Sequence, residues 1–111
     1  MVHIIREKAT KRQIDEMLQK LGSFIKLAVD IERGILAGGG EMHADCEEEL
    51  LNDGSNQANI WGADWFPSVQ KLKFDALINI RPNQQNNSMT IQDSSIRQMV
   101  ESISRQLLGG V

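Results

Sequence analysis

The 111-residue sequence has no tyrosine, one cysteine and two prolines, and aromatic side chains make up only 5% of it. Lone Cys46 excludes an intrachain disulfide. Its neighbours in Asp45-Cys46-Glu47-Glu48-Glu49 would raise a thiol pKa, which argues against a catalytic thiolate. No apolar run approaches the roughly 20 residues of a bilayer span. The first residues, MVHIIREKATKR, become charged too soon to form the apolar centre of a signal peptide. The expectation is therefore a cytoplasmic protein without membrane contact. Basic residues are also scarce, with 12 Lys+Arg against 15 Asp+Glu and a formal charge of -3, so a nucleic-acid partner held by phosphate neutralisation is not expected. Linkers, repeats and low-complexity stretches are missing as well, and residues 1–111 are expected to fold as a single domain.

What is present is periodicity. The β-branched run at 2–5 leads to Thr10 and Gln13, which have capping-box spacing, and Ile14, Met17, Leu18 and Leu21 then recur at helical intervals before Gly22. Residues 24–32 change to period two, with Ile25, Leu27, Val29 and Ile31 on one face and Lys26, Ala28, Asp30 and Glu32 on the other. Arg33-Gly34 is expected to form a two-residue reversal, pairing Glu32 with Ile35 and sending 35–45 back as a second strand weakened by Gly38–Gly40. A short helix over 45–52 would start at Asp45 as N-cap. Residues 59–67, with both tryptophans, suit a loop or edge strand, and the indoles are expected in the core. Leu72–Ile80 alternates as a third long strand, and Asp93 caps a last helix with its stripe at Ile96, Val100, Ile103 and Leu107. The expected fold is α+β, a two-layer sandwich of a mainly antiparallel sheet with two amphipathic helices, about 10–21 and 94–108, on one face.

In that register Asp30, Glu32, Glu41, His43 and Asp45 share the polar face of the sheet, joined by Asn79 and Arg81 from the third strand. Alternation in Glu41-x-His43-x-Asp45 would direct an imidazole and two carboxylates to one point, a ligand set suited to a divalent metal, although no diagnostic metal spacing is present. Arg81, beside Asn79 and the amide-rich run 83–87, could hold a small anion through its guanidinium, or pair with an acid on a neighbouring strand. The plain alternative for the whole face is a solvated sheet surface. No serine or cysteine has an evident base beside it, so no nucleophile is assigned and enzymatic activity is left open.

The runs VDIERGILAGGGEMHAD (29–45), DGSNQANIWGADWFP (53–67) and INIRPNQQNNSM (78–89), with the closing Asp93-x-x-Ile96-Arg97, resemble a small bacterial family found notably in cyanobacteria and classed as a domain of unknown function. The resemblance covers nearly the whole chain and implies a shared fold with no activity attached. Its motif residues include Asp30, Glu32, Glu41, His43, Asp45, Trp61, Asn79 and Arg81. Asn87 stands where an arginine is usual.

Two functions compete at this stage. One is a pocket on the polar sheet face for a small anionic or metal ligand. The other is a non-enzymatic interaction module or homodimer that uses a sheet edge or the Trp61/Trp65 segment. Charge is unevenly spread: residues 1–70 carry 7 bases and 12 acids, residues 71–111 carry 5 bases and 3 acids, and six acids fall between Glu41 and Asp53.

Overall fold

Thr10 starts the first helix. In the computed structural model, which describes residues 1–111, β1 (His3–Ile5) leads to α1 (Lys11–Leu18), and Thr10 and Gln13 exchange side-chain-to-backbone hydrogen bonds of 3.1 and 2.9 Å in a complete capping box. Gly22, at φ +83°, closes the turn after the helix by donating to Leu18 O. Strands β2 (Ile25–Asp30), β3 (Ile35–Gly38), β4 (Ile60–Phe66) and β5 (Lys71–Lys73) complete one antiparallel sheet in the order β1-β3-β2-β4-β5. Helix α2 (His43–Asn52) follows β3, and α3 (Ser94–Leu108) closes the chain. No helix is long and apolar enough to cross a membrane.

The hairpin between β2 and β3 is built by Asp30. Its Oδ1 accepts from the N–H groups of Glu32 and Arg33, both at 2.9 Å, and its carbonyl accepts from Gly34, which sits at φ +68°. The turn therefore spans Ile31–Gly34, and Asp30 pairs with Ile35, Val29 with Leu36 and Ala28 with Ala37. This corrects the two-residue reversal. Register moves by two residues, so the side chains of β2 and β3 keep their expected faces.

Both faces of the sheet are covered. Ile25, Leu27, Val29, Leu36, Trp61, Ala63 and Trp65 face α1 and α3 and pack with Ile14, Met17, Val100 and Leu108, which places the two expected helices on one side. On the opposite face, expected to be polar and solvated, Ala28, Ile35, Ala37 and Ile60 pack against Cys46 and Leu50 of α2 in a second core. A sheet with one open face was the expectation, and α2 overturns it. β3 ends at Gly38 because the glycines are needed for close packing: a Cβ on Gly39, at φ +100°, would lie 2.4 Å from Met1 O. The expected second strand over 35–45 thus stops early, and its last three residues belong to α2.

Strand β4 is an interior strand between β2 and β5, which replaces the expected loop or edge at 59–67. Trp61 and Trp65 are 1% and 0% exposed, as expected for core residues, and Arg81 stacks 4.8 Å from the Trp61 ring. The expected strand at 72–80 is cut to β5. After Lys73 the chain leaves the sheet, makes one bridge between Asp75 and Thr90, and forms 3₁₀ turns at Leu77–Asn79 and Pro82–Gln84.

Side chains hold this segment in place. Gly62 directs its N–H and C=O into the lane that β5 vacates, and the Asn79 carboxamide fills it, accepting from Gly62 N (2.8 Å) and donating to Gly62 O (3.0 Å), Phe74 O (3.3 Å) and Met89 O (3.0 Å). Asn86 donates to the carbonyls of Asn79, Ser88 and Thr90 and accepts from Gln92 N. Gly62 must be glycine, because a Cβ there would lie 2.5 Å from Ala76 Cβ.

Candidate functional site

Of the residues expected to share one polar surface, the structure brings few together. Asp30 is fully buried and engaged in the hairpin turn. Glu32 is exposed and borders a shallow groove between that turn and α3. Glu41 is exposed in the bend before α2. Asp45, expected as N-cap, is the third residue of α2, and its Oδ2 accepts from Met42 N at 3.0 Å. The side chains of Glu41, His43 and Asp45 therefore serve three different settings. Nowhere does the chain group three His, Cys, Asp or Glu side chains so as to hold a metal ion. The strand alternation that suggested convergence is absent, because helix geometry has replaced it by residue 43.

Asn79 and Arg81 are buried structural donors. Arg81 donates to Ile78 O (2.9 Å), Gln57 O (2.8 Å) and Ile60 O, and Nη2 lies 3.4 Å from Glu47 Oε2 in α2. Burial lowers the Arg81 pKa, and the charge of Glu47 opposes that shift. The ion-pair alternative for Arg81 is the observed arrangement, and its guanidinium is occupied by the protein itself.

His43 remains. As the first residue of α2 it reaches across the sheet to β4, where Nε2 lies 2.7 Å from Asp64 Oδ1 and 3.2 Å from Ala63 O. Both neighbours can only accept, so Nε2 carries the hydrogen and Nδ1 is the nitrogen left for another partner. The pair is well shielded, with side chains 11% and 15% exposed. It forms one wall of a cleft of about 380 Å³ between the start of α2, strands β2 and β4, and the segment 75–89. Phe24, Ala44, Ala76 and Ile78 line the cleft, Met42, Leu77 and Met89 rim it, and Lys26 and Asp75 supply the other charges.

Sequence reasoning placed His43 on this face and missed Asp64, Phe24 and Met89. The available signal was period two in Ile60–Phe66, which puts Trp61, Ala63 and Trp65 on one side and Gly62 and Asp64 on the other.

A second polar cluster lies at the far end of α2. Asp53 accepts from Arg6 (2.7 Å) and Arg33 (2.8 Å), and Arg33 also donates to Ser55 Oγ. These hydrogen bonds hold the Asp53 carboxyl down at about 2. Cys46, beneath the helix, is buried, and desolvation pushes its thiol up to about 11, which fits the expected lack of a reactive thiolate.

No curated protein and no solved structure matches the chain. A family model described as a protein of unknown function (DUF5674) matches residues 3–107, nearly the full length, and the chain belongs to that family.

Proposed function

We propose that this domain binds a small ligand in the cleft walled by His43 and Asp64. The supporting observation is the 2.7 Å Nε2 to Oδ1 contact, shielded from solvent in a mostly apolar lining that also carries Lys26 and Asp75. A pair of this kind fixes the tautomer and orientation of the imidazole, and apolar clefts with a few oriented polar groups are the usual form of small-molecule sites. The volume of about 380 Å³ lies within the range such sites occupy. Of the residues first considered as ligand-binding, only His43 takes part, and no metal is assigned to it.

Shift mapping on the ¹⁵N-labelled chain with a fragment library tests this reading. Binders should move the amide signals of residues 42–44 and 75–78, and Ala44→Trp, which places an indole at a lining position, should abolish the effect. Hits scattered over the surface, or unaffected by Ala44→Trp, would sink the proposal.

A second reading has support of its own. Met42, Leu77 and Met89 are 52%, 64% and 44% exposed around the mouth, an adaptable apolar rim able to accept a side chain from a partner or a second copy. Sedimentation velocity over a range of concentrations separates self-association through this rim from a monomer with an open cleft. The Trp61/Trp65 segment offers no such surface, because both indoles are buried and β4 is not an edge.

A further inference from the structure

We infer that the ligand of this cleft is a small amphipathic amine, with its ammonium near Asp64 and Asp75 and its apolar body against Phe24, Ala76, Ile78 and Met89. The inference rests on the binding role just proposed and adds the ligand class. Two carboxylates and one ammonium line the cleft, so with a neutral imidazole its formal charge is -1. No lysine or arginine forms an ion pair with either acid.

Asp64 uses Oδ1 for His43, and Asp75 uses Oδ1 for the Thr90 hydroxyl, so Oδ2 of each carboxylate is left for an incoming donor. Lys26 is the cross-strand neighbour of Asp64, yet it does not approach within ion-pair distance. An added carboxylate would meet two like charges, whereas an added ammonium balances the set. The aromatic wall is compatible with a cation: Phe24 stacks on Phe66 at 5.2 Å, and Lys73 already places its ammonium 5.5 Å from the Phe66 centroid. His43 Nδ1 provides an acceptor for a second N–H of the amine.

Three probes that share one body separate charge from apolar fit. Phenethylamine, 2-phenylethanol and 3-phenylpropionate are each titrated into the ¹⁵N-labelled full chain at low salt, following the amides of residues 42–44 and 75–78. The amine should bind about tenfold tighter than the alcohol, with the carboxylate weakest. Asp75→Asn should remove most of that preference for the amine over the alcohol, and Lys26→Met should strengthen amine binding by removing a competing cation. If alcohol or carboxylate matches the amine in the unmodified chain, the ligand class is overturned while the binding role stands. If none of the three moves these amides at millimolar concentration, both are overturned.

Discussion

Replacing Asn79 with alanine should unfold the domain far more readily than an ordinary loop substitution. The carboxamide is fully buried and has four main-chain partners, with Oδ1 accepting from Gly62 N (2.8 Å) and the two N–H groups of Nδ2 shared among Gly62 O (3.0 Å), Met89 O (3.0 Å) and the more distant Phe74 O (3.3 Å). Each bond contributes about 1 kcal/mol net, and a buried N–H left without an acceptor costs about 1–3 kcal/mol. Water entering at Phe74 and Met89 recovers part of this, so the expected loss is about 3 kcal/mol. With a urea slope of about 1.5 kcal/mol/M for a domain of this size, the unfolding midpoint falls by about 2 M.

Asn79→Asp should be worse than alanine at neutral pH. It keeps an acceptor for Gly62 N but turns a carboxylate oxygen toward three carbonyls. Native-state hydrogen exchange at the Gly62 amide supplies the local readout, and protection there should drop more than at β2 amides. A midpoint shift in alanine worth less than about 1 kcal/mol, with Gly62 still protected, would refute the view that a side chain stands in for the missing strand.

Three further outcomes follow from the structure. Asp53, held at about 2 by Arg6 and Arg33, contributes stability that is complete above the ordinary carboxylate range and vanishes as pH falls toward 2. Asp53→Asn should therefore lose less stability than the parent on acidification from about pH 4, and parallel urea-midpoint curves for the two proteins would contradict this. With its thiol pushed up to about 11, Cys46 should react with a disulfide reagent at pH 8 at least about a hundredfold slower in the folded chain than in urea. Gly39→Ala places a Cβ 2.4 Å from Met1 O at φ +100°, whereas Gly22→Ala at φ +83° meets nothing within 4 Å. Losses of about 2–4 and about 1 kcal/mol are expected, and similar melting temperatures for the two variants would count against the packing explanation.

Those elements whose cause lies within a few residues were legible in the sequence. Thr10 and Gln13 announce α1, Asp93 announces α3, and alternation announces β2. Face assignments on β2 and β3 survive the register change because Asp30 shifts the pairing by an even number. Where tertiary contacts decide, alternation misleads. Leu72–Ile80 has the pattern of a strand, but Asn79 gains four main-chain partners by leaving the sheet, and Gly62 has the space to receive the segment. Arg81 looked like a ligand-binding cation because nothing local shows that the carbonyls of Gln57 and Ile60 converge on it. His43 was placed on the correct face for the wrong reason: it arrives there at the start of a helix rather than along a strand.

The two cores on opposite sides of the sheet also give the molecule two independent optical and chemical reporters. Both indoles lie in the core beneath α1 and α3, and with no tyrosine in the chain they dominate its near-ultraviolet absorbance and emission. The only thiol lies in the other core, beneath α2. Tryptophan fluorescence therefore follows the dissolution of one layer, and thiol accessibility follows the other. A transition in which α2 lifts from the sheet while α1 and α3 stay docked would be plain to the second signal and would reach the first only through Arg81, which pairs with Glu47 of α2 and stacks on Trp61, so close agreement between the two measures whether the layers unfold as one.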